Sequence, residues 1–266
     1  MADGRLKAIA IFAGAVATSI LRVIVLVSIG AAAQAHDSLA NVIETSKPSV
    51  VGIGSHLATR RPPNLLTGTG FVIGAGNRVV TNAHVVELEL NEAKREHLVV
   101  FVGHGRNPQI RSAKVLAKDA HHDLAILAFD GEPLPALEIG DDAGVREGDE
   151  VIFIGYPIGA ILGLYPVAHR GIISAISPIA VPQMRANTLS AGQIKQLREP
   201  FNVFQLDATA YPGNSGSPLL KVSSRKVIAV LNSVFVKGSK ENVLSAPSGI
   251  SYAIPAAFIR ALLEEI

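Results

Sequence analysis

From Ser49 onward the chain reads as two series of short β-type runs, and this pattern restricts the fold more than any other feature of the sequence. The first series is "SVVGIGSHL", "GTGFVIG", "NRVVTNAHVV", "HLVVFVG", "RSAKVLAK" and "DLAILAF". After the loop "GEPLPALEIGDDAGVREGDE" comes the second: "VIFIGYP", "AHRGIISAIS", "FNVFQLDAT", "SPLLKV", "KVIAVLNSVFV" and "SGISYAIP". Gly, Pro, Asn and Asp punctuate both series, as strand boundaries require. No helical pattern alternates with the runs, so paired antiparallel barrels are favoured over a parallel α/β sheet. The expectation is an all-β fold of two packed six-stranded antiparallel β-barrels, joined near 138–148. "SLANVIETSKPS" predicts a short helix ending before Pro48, and "PAAFIRALLEEI" a short C-terminal helix with Pro255 in its first turn. The stretch 178–200 reads as a long loop, of a length usually kept for function.

The first 35 residues do not belong to this pattern. Arg5 and Lys7 precede an apolar run that ends in Ala33-Gln34-Ala35, a small-x-small cleavage signature. A signal peptide over 1–35, cut before His36, is expected, and with it a periplasmic or secreted protein. The competing reading is a retained membrane anchor over 8–35, which must tolerate Arg22 inside the span. The remaining chain divides into a first barrel over 36–140 and a second barrel with its closing helix over 141–266. Without the leader, the 24 basic residues fall to 21 and the 22 acidic residues to 21, so the formal charge is zero. No basic tract is present, which argues against a nucleic-acid partner. The chain has no cysteine, so disulfides, thiolate metal sites and a thiol nucleophile are excluded.

"YPGNSGSPLL", residues 211–220, places Ser215 between two glycines, behind a proline turn. Read alone, it is as well explained by an inert Gly/Ser hairpin turn. A serine hydroxyl becomes a nucleophile only beside a base that is itself oriented by an acceptor. Among eight histidines, His36 lies at the expected new terminus, while His56, His97, His104 and His169 sit in polar, turn-like settings and read as solvated. His84 differs, because it follows the strand "RVVT" at a small-residue turn where an imidazole can protrude. Asp123 opens an apolar strand, and a half-buried carboxylate there needs a donor. The chain order His84, Asp123, Ser215 is one of the three orders known for such a triad. His121 and His122, next to Asp123, raise a weak metal alternative, which the opposite directions of adjacent strand residues count against.

"TGTGFVI", "VVTNAHVV", "HDLAILAF", "GYPIGA", "RGIISAI", "LDATAYPGNSGSPLL" and "GISYAIP" occur in that order between 67 and 254. Together they resemble the peptidase domain of the HtrA/Deg trypsin-like serine proteases. The resemblance implies a chymotrypsin-like double barrel with its cleft between the barrels, an acyl-enzyme mechanism without a cofactor, and protein or peptide substrates in unfolded or flexible segments. It implies that Ser215 attacks, His84 takes the proton and Asp123 holds the imidazole. It further implies an oxyanion hole from the backbone of Gly213 and Ser215, helped by Asn214. A homotrimer built on the segment around 37–48 is implied by the same likeness, with no support from the residues themselves. An esterase and a catalytically silent, peptide-holding or chaperone-like module remain as rivals on the same fold.

The resemblance also places the specificity pocket at Ala208 and Thr209, then Asn232, Ser233 and Val234, then Ser251, Tyr252 and Ala253. No carboxylate lies at its base, so small or medium aliphatic side chains are the expected choice over Arg or Lys. Members of the family usually carry glycine at the positions of Ser217 and Ser251, and Phe at that of Tyr252. The chain stops at Ile266 without the peptide-binding PDZ domain common in the family, so regulation through such a domain is not expected.

Overall fold

The computed structural model describes residues 39–105, 107–157, 163–179, 199–232 and 250–266. The chain divides into two compact units, Met1–Glu44 and Thr45–Ile266. Of the first, residues 39–44 are described and helical. In the second, strands β1 (Val50–His56), β2 (Asn64–Ile73), β3 (Arg78–Thr81), β4 (His97–Val102), β5 (Gln109–Asp119) and β6 (Leu124–Phe129) form one series. The other comprises β7 (Glu150–Gly155), β8 (Val167–Pro178), β9 (Asn202–Asp207), β10 (Pro218–Lys221), β11 (Lys226–Asn232) and β12 (Ile250–Pro255). One helical turn, α1 (Ala83–Val86), follows β3, and the helix α2 (Ala256–Leu263) closes the chain.

Each series closes into an antiparallel barrel, in the order β1-β2-β3-β6-β5-β4 and β10-β11-β12-β9-β8-β7. This is the all-β double barrel that the two series of runs predict. Closure bends the long strands: β5 breaks register between Val115 and Ala117, and β8 between Ile173 and Ala175. Such bulges are how a sheet turns its corners. Alternation along the strands sends Val72, Val79, Val100 and Leu127 into the first core and Phe153, Leu206, Ile228 and Leu231 into the second. Each buried side chain of this size contributes about 1.5–3 kcal/mol. Two such cores hold a chain that has no disulfide to help.

Three local expectations need adjustment. The run "NRVVTNAHVV" is not one strand, since β3 stops at Thr81 and the next residues wind into α1. Past residue 46 the first helix continues as a 3-10 turn, Lys47–Ser49, with Pro48 inside it, because a proline in a first helical turn forfeits no hydrogen bond. Pro255 ends β12 and caps α2 from outside the helix. The leader, most of the 178–200 loop, and Ser233 and Val234 lie outside the described residues. Among the described residues no helix is long and apolar enough to cross a membrane.

Tyr156, just after β7, ties the barrels together. Its hydroxyl donates to the Val50 carbonyl at 3.0 Å and its N–H donates to Thr69 Oγ1 at 3.0 Å. Burial pushes its phenol up, so the hydroxyl stays a donor.

Candidate active site

Asp123 sits at the mouth of β6 with φ +52, a left-handed conformation that aspartate tolerates better than most residues. That twist turns both its carbonyl and its carboxylate toward the segment 82–84. The carbonyl accepts from Ala83 N at 3.1 Å and from Asn82 Nδ2 at 3.0 Å. One carboxylate oxygen accepts from His84 N at 2.9 Å, and the other lies 2.6 Å from His84 Nδ1. A carboxylate only accepts, so Nδ1 carries the proton and Nε2 is left with its lone pair. Thr67 Oγ1, 3.0 Å from the Val85 carbonyl, fastens α1 from β2.

Residues 211–214 form a tight turn in which Asn214 N donates to the Tyr211 carbonyl at 3.0 Å. Pro212 supplies the fixed φ of the second position, and Gly213, at φ +98, supplies the positive φ that a type II turn requires at the third. The Gly213 carbonyl accepts from Thr69 Oγ1 at 2.7 Å, while its N–H makes no hydrogen bond among the described residues. The next residues are pinned on both sides. Ser215 O accepts from Thr69 N at 2.8 Å, Gly216 N donates to Leu231 O at 2.9 Å, and Leu231 N donates to Ser217 O at 2.9 Å.

These contacts bring the three expected triad residues to one place. The Ser215 loop pairs with Leu231, and the next residue, Asn232, donates its Nδ2 to Asp123 Oδ2 at 2.8 Å. From the other side, a Cβ built on Gly68 would stand 2.7 Å from a Val85 methyl and 3.0 Å from Ser215 O, so α1 and the serine flank the same glycine. His84 and Asp123 come from the first barrel and Ser215 from the second. The site is therefore assembled only when the two barrels pack.

The remaining expected residues separate. Asn214 is fully buried; its backbone N–H is spent on the Tyr211 carbonyl, while its side-chain amide makes no hydrogen bond among the described residues. Asn232, expected in the pocket wall, donates to Asp123, because β11 ends beside it. Ala253 is fully buried in the second core, with Ala208 packed against that cluster. Thr209 lies between them and the turn, and Tyr252 is half-buried. Ser251 joins two walls of the expected pocket, donating to the Ala208 carbonyl at 2.7 Å and accepting from Ala210 N at 3.0 Å. It is 1% exposed, and its hydroxyl is spent on the backbone of residues 208–210.

His121 and His122 find packing partners. Asp119 accepts from both of their N–H groups and from His122 Nδ1. Burial pushes the Asp119 carboxyl up, but the His122 ring and these N–H groups outweigh it and bring the carboxyl down to about 2. The His122 ring stacks on Phe258 at 3.8 Å, with Phe201 edge-on at 4.6 Å. Among the described residues no group of three or more His, Asp or Glu is placed to hold a metal. His169 is not the solvated side chain its surroundings in the sequence suggest. It stacks on Phe153 at 4.6 Å, and burial pushes its imidazole down, toward the neutral form.

Sequence reading missed Thr69, whose four polar contacts join β2 and β3 to the 211–215 turn and to Tyr156. Its only signal was its place inside the "TGTGFVI" stretch.

Comparison with known proteins gives a consistent likeness. Residues 68–230 match the trypsin-like peptidase domain family. The chain is 32% identical over 217 residues to the "Probable periplasmic serine endoprotease DegP-like" of Chlamydia trachomatis, covering 81% of this chain and 37% of that protein. It is 33% identical over 233 residues to the mitochondrial serine protease HTRA2 of Bos taurus, covering 86% of this chain and 43% of that one. Among solved structures it is similar to the HtrA-type protease AlgW with tripeptide, at 26% identity and a TM-score of 0.60, over 85% of this chain and 62% of that chain. The chain spans roughly two fifths of the length of these curated relatives.

Proposed function

Because the chain belongs to the trypsin-like peptidase domain family, in its HtrA-type branch, we propose that it is a serine endopeptidase acting through Ser215, His84 and Asp123. The observation that carries this reading is the His84 imidazole, fixed by Asp123 with Nδ1 as donor, in the same cleft as the Ser215 turn. Ser215 Oγ attacks the scissile carbonyl and gives its proton to His84 Nε2. The negative charge that develops on the carbonyl oxygen is received by the N–H groups of Gly213 and Ser215. Collapse expels the amine, which takes the proton back from His84, and water then releases the acyl group by the same path. No cofactor enters these steps.

Substrates in this reading are unfolded or flexible protein segments, and the protein works after export to the periplasm or beyond. The relatives named periplasmic endoproteases support the compartment. Membrane attachment follows if the leader is retained, and a homotrimer is the assembly expected from the likeness. Ala208 and the base closed by Ser251 favour small or medium aliphatic side chains before the cleaved bond. A peptide library digested with the purified protein is expected to give cleavage after such residues, and none with Ser215→Ala. Cleavage after Arg or Lys would refute the pocket assignment, and turnover that persists in Ser215→Ala would refute the mechanism.

A further inference from the structure

His56 and His97, which read from the sequence as solvated, stand side by side in the first barrel. His56 ends β1 and His97 begins β4, and the register pairs them directly; on the other flank of β1 it pairs His56 with Asn64 of β2. Residues paired across a sheet project from the same face, so Asn64, His56 and His97 form one row across β2, β1 and β4. The two imidazole rings have their centres 5.6 Å apart and their planes at 62°.

Each ring is tied through one nitrogen. His56 Nδ1 lies 2.7 Å from Asn64 Oδ1, and His97 Nδ1 lies 3.1 Å from the Arg95 carbonyl. Both of these oxygens only accept, so each Nδ1 carries the proton and each Nε2 keeps its lone pair. The two nitrogens of an imidazole point to nearly opposite sides. His56, with Nδ1 aimed at β2, therefore turns Nε2 toward β4 and His97. A histidine that donates one ring nitrogen to a carbonyl oxygen and leaves the other free is the form that ligates a metal ion, and the outer hydrogen bond fixes its tautomer and raises its basicity. Two imidazoles on one tetrahedral ion, with bonds of about 2.0–2.1 Å, hold their ring centres roughly 5–6 Å apart. The pair already stands at that separation.

We propose that His56 and His97 form a site for a borderline divalent cation, of the class of zinc, nickel and copper, held by the two Nε2 atoms across the β1–β4 pair. Imidazole suits these ions, whereas magnesium and calcium take oxygen ligands. Among the described residues no third His, Asp or Glu joins the pair, and His97 is exposed. Water therefore completes the shell, and the ion exchanges with solution. Bound there, it clips the end of β1 to the start of β4 and steadies the loops that leave them. The site is independent of the Ser215 chemistry and stands or falls apart from it.

Zinc chloride added to the purified protein, free of any histidine tag, is expected to bind in calorimetry at neutral pH and to raise the thermal unfolding midpoint. Magnesium chloride at the same concentration should do neither. His97→Ala, at an exposed position, should keep the metal-free midpoint of the parent and lose both effects of zinc. Asn64→Ala keeps both imidazoles and removes only the acceptor that orients His56, so its zinc affinity should fall about 10- to 100-fold. Should His97→Ala fail to fold, His56→Gln is read by the same criteria. A parent that does not bind zinc, or a His97→Ala variant that binds it as tightly as the parent, would overturn the proposal, the second because the ion then sits elsewhere on the chain.

Discussion

Asp123→Asn is expected to slow acylation of Ser215 about 10,000-fold, the loss found when the acid of a serine-protease triad becomes its amide, while the protein stays folded. The reason lies in the donors that converge on this carboxylate: His84 N, His84 Nδ1 and Asn232 Nδ2 all meet Asp123 oxygens. An amide has one oxygen for three donors, and its NH2 group must face one of them. The arrangement that relieves the conflict puts the lone pair on His84 Nδ1 and the proton on Nε2, where it cannot accept from serine. Acylation rates of parent and variant with a fluorophosphonate, beside their thermal unfolding curves, check this. A rate within tenfold of the parent would mean that Asp123 does not orient the base.

Gly216→Ala should abolish activity by a different route, through the fold of the loop. Gly216 has φ +86, and a Cβ there would stand 2.0 Å from the Thr69 carbonyl oxygen and 2.4 Å from Thr81 Oγ1. The strained φ alone costs about 1–3 kcal/mol. The backbone clash comes on top of it and has no flexible partner to absorb it, so a total on the order of 4 kcal/mol is expected. Either the protein unfolds at a lower temperature or the loop leaves β2, and both remove Ser215 from His84. A denaturant midpoint and an acylation rate equal to the parent's would show that the loop is not seated against Thr69.

The double barrel was legible because hydrophobic alternation is a local signal repeated twelve times, and each repeat ends at a residue that cannot continue a strand. His84, Asp123 and Ser215 stood out as candidates for a related reason. Each sits where a strand starts or stops, although the Ser215 turn read alone is equally an inert hairpin and gains its meaning only from the other two. The contacts that join elements distant in sequence were not. Thr69 and Gly213 are 144 residues apart and Asn232 and Asp123 are 109 apart. Nothing local distinguishes a strand threonine that packs from one that holds a turn. Asn232 was expected in the pocket wall from the family resemblance alone, and the end of β11 brings its amide to Asp123. His169 read as polar from its neighbours, yet its strand position opposite Phe153 turns it inward. In each case the sequence supplies the residue type, and the barrel register, which is a property of the whole sheet, decides which way it faces.

The central claim is that Ser215 is an activated nucleophile made so by His84. Intact-mass measurement of the purified protein after treatment with a fluorophosphonate tests it most directly, with Ser215→Ala and His84→Ala alongside. One adduct on the parent, none on Ser215→Ala and a greatly slowed reaction in His84→Ala is the predicted result. A parent that remains unmodified, or an adduct that persists when Ser215 is gone, would contradict the account.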